Sequence, residues 1–325
     1  MEADADLLVI GAGPAGLTAA IYGRRAGLET TVLEKFVPGG QAALTDAIEN
    51  YPGFTEPVQG LALMQAMRQQ AEGFGAAFQT AEVLGLEPSP PDGPHAVHLK
   101  NGRLAGRAVI IASGARHRRL GIPGEDQLWG KGISCCAQCD GMFYRGKRVV
   151  VIGGGDTAIK ESIFLTRFAE VITVVHRRDR LRATQALQDK LFALGDKVQV
   201  AWNTVVEEIL GEEGVTGVRV RNVQTGAEQT LDCDGVFIYV GFRPNTEAFR
   251  EAVETDEKGY IVTDEAMATS VGGVFAAGDC RRKVLRQIVT ACADGATAAF
   301  AAEQYLEARR TVGAEADDAD AGPRG

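Results

Sequence analysis

Two glycine-rich turns constrain this chain more than any other feature, because each follows at once on a short apolar run. Asp6-Leu7-Leu8-Val9-Ile10 leads into Gly11-Ala12-Gly13-Pro14-Ala15-Gly16, and Arg148-Val149-Val150-Val151-Ile152 leads into Gly153-Gly154-Gly155-Asp156-Thr157-Ala158. A lone glycine signature is weak, but a buried strand, a glycine turn and a helix in succession form a dinucleotide-binding βαβ unit. Leu17 to Ala26 reads as the first helix, ended by Gly27, and Thr30-Thr31-Val32-Leu33 as a second strand closed by Glu34. The later segment repeats the pattern, with a helix through Phe168 and a strand over Val171-Ile172-Thr173-Val174-Val175. The copies keep register: Glu34 lies twenty-three residues after Gly11, and His176 twenty-three after Gly153. An α/β fold of two Rossmann-like dinucleotide-binding domains is predicted, and 325 residues accommodate both.

The tips of the two second strands differ in charge. In the first unit Gly11 permits the tight turn, Gly13 lets a pyrophosphate approach the backbone, and Gly16 allows close helix–strand packing. Glu34 is placed to accept hydrogen bonds from an adenosine ribose and would repel a 2′-phosphate, so FAD or NAD fits and NADP does not. In the second unit Gly153, Gly155, Asp156 and Thr157 form the turn, and His176-Arg177-Arg178 with Arg182 take the place of the carboxylate. Guanidinium groups there suit a doubly charged phosphate, so NADPH is expected. A strand-like run, Gly273 to Ala277, ends in Gly278-Asp279, which suggests that one nucleotide domain is completed by residues from both ends of the chain.

Between the two signatures lies Cys136-Ala137-Gln138-Cys139-Asp140. A CxxC pair beside two dinucleotide sites implies electrons passing between cofactors and then to sulfur. Zinc would need a second ligand pair, which the isolated Cys233, Cys280 and Cys292 do not supply, so no metal site is expected. Asp140 could serve as proton donor or acceptor, or as a helix N-cap. Cys135 reads as a spare thiol and the other three cysteines as packing residues. A formal charge of −9 argues against nucleic acid, and no apolar stretch is long enough to span a bilayer. Few cysteines and an acidic N-terminus point to the cytoplasm.

These motifs together resemble the low-molecular-weight thioredoxin reductases, the bacterial-type NADPH-dependent flavoproteins, from about Asp6 to Arg309. The matching segments also include Gly39-Gly40-Gln41, Glu49-Asn50-Tyr51-Pro52-Gly53 and Arg286-Gln287. The resemblance implies an FAD domain formed by residues 1–115 and 245–310. It implies an NADPH domain over 116–244 inserted between these and carrying the disulfide, while the acidic composition of 311–325, outside the resemblance, predicts a disordered tail. It implies that Glu34, Gln41, Asn50, Asp279, Arg286 and Gln287 line the FAD site. Cys136 would attack the thioredoxin disulfide, Cys139 would face the flavin, Asp140 would be the acid, and the protein would be a homodimer. One departure stands out: Lys160 replaces a family carboxylate in Thr157-Ala158-Ile159-Lys160-Glu161. A ferredoxin or flavodoxin NADP reductase would have no use for the CxxC pair, and a nucleotide-sensing scaffold would use its thiols only structurally.

Overall fold

The computed structural model describes residues 2–45, 48, 50–89, 93–135 and 137–320, without the side chains of 138, 139 and 310–320. Cys136 and the Cys139 thiol therefore lie outside the described residues, as does Glu49. The chain divides into two compact units, one formed by Met1–Arg116 with Arg243–Gly325 and the other by His117–Phe242.

The first unit opens with β1 (Ala5–Ile10), α1 (Pro14–Arg25) and β2 (Thr30–Glu34). Helix α1 starts earlier than its apolar spacing suggests, because the fixed backbone angle of Pro14 suits the first helical turn. Next come α2 (Gly60–Gly73), β3 (Ala77–Thr80), β4 (Val83–Glu87), β5 (His95–Leu99) and β6 (Gly102–Ile111). Side chains of β1 alternate between two cores. Leu7 and Val9 pack with Leu17, Met64 and Ile110, while Leu8 and Ile10 pack with Val109 and Ile111. Both faces are covered, so the strand reads as an unbroken apolar run. Each fully buried side chain of this kind contributes about 1.5–3 kcal/mol.

The short strand β7 (Ala115–His117) leads out of this unit. The second unit contains α3 (Glu125–Leu128), β8 (Ile133–Ser134), α4 (Ala137–Asp140), β9 (Arg148–Ile152), α5 (Asp156–Leu165), β10 (Val171–Val175), α6 (Gln185–Phe192) and β11 (Val198–Ala201). Then follow β12 (Thr204–Gly211), β13 (Val215–Asn222), β14 (Glu228–Asp232) and β15 (Gly235–Ile238). Its main sheet is parallel in the order β11-β10-β9-β15-β8, and β12-β13-β14 form an antiparallel layer. Strand β9 repeats the alternation of β1, with Val149 and Val151 in one core and Val150 and Ile152 in the other. Helix α5 ends at Leu165, short of the expected Phe168, where the chain turns.

The chain returns through β16 (Phe242–Pro244), which pairs with β7. Strand β17 (Val274–Ala276) then joins β6, completing a first-unit sheet ordered β3-β2-β1-β6-β5-β4. Helix α7 (Ile288–Asp320) packs along α1. It continues as helix over 311–320, where the composition suggested a disordered tail. Propagating a helix already nucleated by packing adds one hydrogen bond per residue, and alanine and glutamate favour it. No helix among the described residues is long and apolar enough to cross a membrane.

Candidate functional site

The first glycine turn is shaped by close backbone approach. A Cβ on Gly16 would come within 1.8 Å of the Gly11 carbonyl oxygen, whereas one on Gly13 would meet nothing within 4 Å. Open space thus lies before the uncapped N-terminus of α1, where free N–H groups and the helix dipole favour an anion. Glu34 is anchored from below: Oε2 accepts the Ala12 N–H at 2.8 Å and Oε1 the Phe36 N–H at 3.1 Å. Each carboxylate oxygen keeps a further lone pair for a ligand hydroxyl.

The C-terminal segment brings a second set of groups into this unit. Asp279 Oδ1 and Arg286 Nε are both buried without a hydrogen-bond partner. Burial pushes the Asp279 carboxyl above the usual range, against the opposing pull of Lys283 and Arg286. Nearby, buried Asp294 accepts from Lys283 Nζ at 2.6 Å and from the Gly278 N–H at 3.0 Å, and pairs with Arg281 at 3.3 Å. Asn50 Nδ2 donates to Gln287 Oε1 at 2.8 Å. Gln41 is exposed, on a short 3₁₀ turn at Gly40–Leu44. Native proteins seldom leave buried polar atoms orphaned. An unpartnered carboxylate oxygen and guanidinium N–H therefore fit a ligand with its own donors and acceptors, and these residues could hold FAD.

In the second unit, Gly155, Asp156, Thr157, Arg182, Tyr239 and Gly241 line a cavity with about 140 Å³ of free space. Asp156 Oδ1 accepts the Thr184 N–H at 2.7 Å, and the Gly154 carbonyl accepts the Arg182 N–H at 2.7 Å, which folds the arginine loop back onto the turn. Arg177, Arg178 and Arg182 are exposed, and among the described residues none has an ion-pair partner. His176 stands apart from them. Its ring is buried under the turn, where a Cβ on Gly154 would come within 2.3 Å, and Nε2–H donates to the Arg180 carbonyl at 3.0 Å. Burial holds its pKa below the usual range, and the flanking arginines press it lower. It is placed to support the loop rather than to touch a phosphate. The sequence position is the same as that of Glu34, but burial here favours a neutral ring.

Asp140 ends α4 at the start of a 3₁₀ turn, Gly141–Tyr144, and makes no side-chain capping bond. Burial first, and then the Asp140 carboxylate, push up the Cys135 thiol and the Tyr144 phenol, the latter to about 12. A raised pKa makes Cys135 a poor nucleophile. Burial likewise pushes Cys233 up to about 12 and Cys280 up to about 11, in keeping with packing roles.

The family profile for pyridine nucleotide-disulphide oxidoreductases matches residues 5–295. The chain belongs to this family. It is 48% identical over 305 residues to the thioredoxin reductase of Listeria innocua, an alignment covering 93% of this chain and 94% of that one. Identity to the Bacillus subtilis thioredoxin reductase is 47%, over 93% of this chain and 95% of that protein. Among solved structures, that of Lactococcus lactis thioredoxin reductase superposes with a TM-score of 0.82 at 42% identity, covering 93% of this chain and 99% of that one.

Some residues of this disulphide oxidoreductase carried no sequence signal. Lys283 and Asp294 lie outside any motif, and Tyr239 is one of several apolar residues at the end of β15. Only tertiary contact reveals that the Tyr239 hydroxyl accepts the Ala137 N–H at 2.9 Å, 102 positions away.

Proposed function

We propose that this chain is an FAD-containing, NADPH-dependent thioredoxin reductase. The observation that carries this reading is the placement of the CxxC segment and the arginine-fringed glycine turn in one inserted unit, joined to a unit with its own glycine turn ending at Glu34. Gly11, Gly13, Gly16 and Glu34 would hold the adenosine diphosphate half of FAD, with Asp279, Arg286, Gln287, Asn50 and Gln41 toward the ribityl chain and ring. FAD supplies, when bound, a carrier that takes up a hydride and passes two electrons on to sulfur. Gly153, Gly155, Asp156 and Thr157 would receive the NADPH diphosphate, while Arg177, Arg178 and Arg182 bind its 2′-phosphate and exclude NADH.

Two electrons cleave the Cys136–Cys139 disulfide to two thiolates; Asp140 relays a proton from solvent to one of them, and Cys136 is left as the thiolate nucleophile. Cys136 then attacks a sulfur of the thioredoxin disulfide, forming a mixed disulfide and releasing one thioredoxin thiolate. Cys139 attacks Cys136, re-forms the internal disulfide and releases the second. Met142 and Phe143 follow Asp140 closely and are 63% and 66% exposed, an apolar surface suited to a protein substrate. A homodimer working in the cytoplasm completes this reading.

An anaerobic NADPH titration of the purified protein, followed at the flavin absorbance, tests it. Bleaching by NADPH, then recovery on adding oxidised thioredoxin, is expected. A protein without flavin, or one whose reduced flavin is not reoxidised by thioredoxin, would overturn it.

A further inference from the structure

A buried carboxylate sits where helix α7 crosses the first glycine turn. A Cβ on Gly295 would come within 2.1 Å of the Ala15 carbonyl oxygen, and one on Gly278 within 2.9 Å of the Ala15 Cβ, so the three segments meet at Ala15. Asp294, one residue before Gly295, gathers donors at this point. Its Oδ2 accepts the Gly278 N–H at 3.0 Å and Lys283 Nζ at 2.6 Å, and its Oδ1 accepts from Arg281 Nη1 at 3.3 Å. The Lys283 and Asp294 side chains are only 8% and 10% exposed. Asp279 follows Gly278 directly, and its buried Oδ1 has no hydrogen-bond partner. Lys283 is the cation that could cancel this second carboxylate, since its charge already pulls the Asp279 carboxyl down against burial. Yet its ammonium is committed to Asp294.

Resting on the FAD-binding part of the functional reading, we propose that Asp294 is a positioning residue for the flavin site: it sequesters Lys283 and pins the Gly278 N–H, and so keeps the Asp279 carboxylate open to a ligand. Lys283 is thereby held out of the site and is no part of it. Asp294→Asn keeps the shape and an oxygen that can accept the Gly278 N–H, but it carries no charge. Arg281 then retains its Nε bond to Thr263 Oγ1 at 2.8 Å, whereas Lys283 is left with the Thr290 carbonyl at 3.2 Å. A buried ammonium on a flexible four-carbon stem is costly without a counter-charge, and Asp279 is the carboxylate its field already reaches. Lys283 therefore turns to Asp279 and occupies the acceptor that the flavin nucleotide needs.

The test titrates flavin-stripped full-length protein with FAD, followed by fluorescence, and melts the same samples without FAD. Asp294→Asn should raise the FAD Kd at least about tenfold, as expected when a charged acceptor is withheld from a ligand. Its flavin-free Tm should stay within about 3 °C of wild type, because Lys283 has gained a new partner. Lys283→Met, alone or combined with Asp294→Asn, should bind FAD within about threefold of wild type. Three results overturn the proposal: an Asp294→Asn that binds FAD as wild type does, a flavin-free Tm that falls together with the affinity, or a double variant as weak as Asp294→Asn. A weak Lys283→Met overturns it too, since the lysine would then itself hold the flavin. Should Asp294→Asn alone fail to fold, the double variant decides: binding within about threefold supports the role, and weaker binding or no fold overturns it. A wild type that takes up no FAD overturns the functional reading, whereas unshifted variants beside a flavin-binding wild type remove only the role of Asp294.

Discussion

Asn50 Nδ2 donates to Gln287 Oε1 at 2.8 Å, joining side chains 237 positions apart in sequence. The bond links the loop after the first βαβ unit to the segment that also carries the unpartnered Arg286 Nε, so segments from both ends of the chain meet within one unit. Gln287→Ala should weaken flavin retention about two- to tenfold, as expected for one hydrogen bond worth roughly 0.5–1.5 kcal/mol. Fluorescence titration of flavin-free protein with FAD measures it. The double variant with Asn50→Ala should lose less than the sum of the two single losses, because the pair is coupled.

Asp279 allows a prediction with a definite sign in pH. Its pKa is raised in the folded protein above the ordinary 3.8, chiefly by burial. The folded state then binds the proton more tightly than the unfolded one. The stability this confers on flavin-free protein is full below 3.8 and is lost as pH rises through the folded pKa. Asp279→Asn should therefore flatten that decline and raise the Tm at neutral pH, while weakening FAD binding at least tenfold. Thermal melts from pH 3.5 to 7 check the first effect, and a lower Tm for Asp279→Asn at pH 7 would contradict it.

Coenzyme choice is expected to depend on the exposed guanidinium groups and not on His176. Charged hydrogen bonds are worth about 1.5–3 kcal/mol each. Arg177→Ala with Arg178→Ala should raise the NADPH KM by a hundredfold or more and leave the NADH KM nearly unchanged. Steady-state kinetics with both coenzymes decide this. An unaltered NADPH KM would remove the arginines from the site.

For the thiols, Cys136→Ser or Cys139→Ser should abolish thioredoxin reduction while NADPH still bleaches the flavin. Cys135→Ser should turn over at close to the wild-type rate, since burial and Asp140 hold its thiol protonated. Thioredoxin-coupled assays of the three variants test this pairing. An inactive Cys135→Ser beside an active Cys136→Ser would reverse it.

Local order was readable from the sequence alone. A strand's side chains alternate by backbone geometry, so Leu7 to Ile10 and Val149 to Ile152 announced strands buried on both faces, and the glycines after them announced their turns. The contrast between Glu34 and Arg177-Arg178 was equally legible, because both stand at a fixed spacing from a glycine that the βαβ unit imposes. What tertiary structure alone decided depends on burial and on contacts closed across long loops. His176 shares the register of Glu34 but lies under Gly154, where a charged ring would lose its water. Asp279 reads as one carboxylate among many until the surrounding segment buries one oxygen without a partner. Ala137 and Tyr239 have no sequence relationship that points to a hydrogen bond, and only the folded chain brings donor and acceptor to 2.9 Å. Periodicity follows from the local backbone, whereas the loss of water at a given atom follows from the whole folded chain.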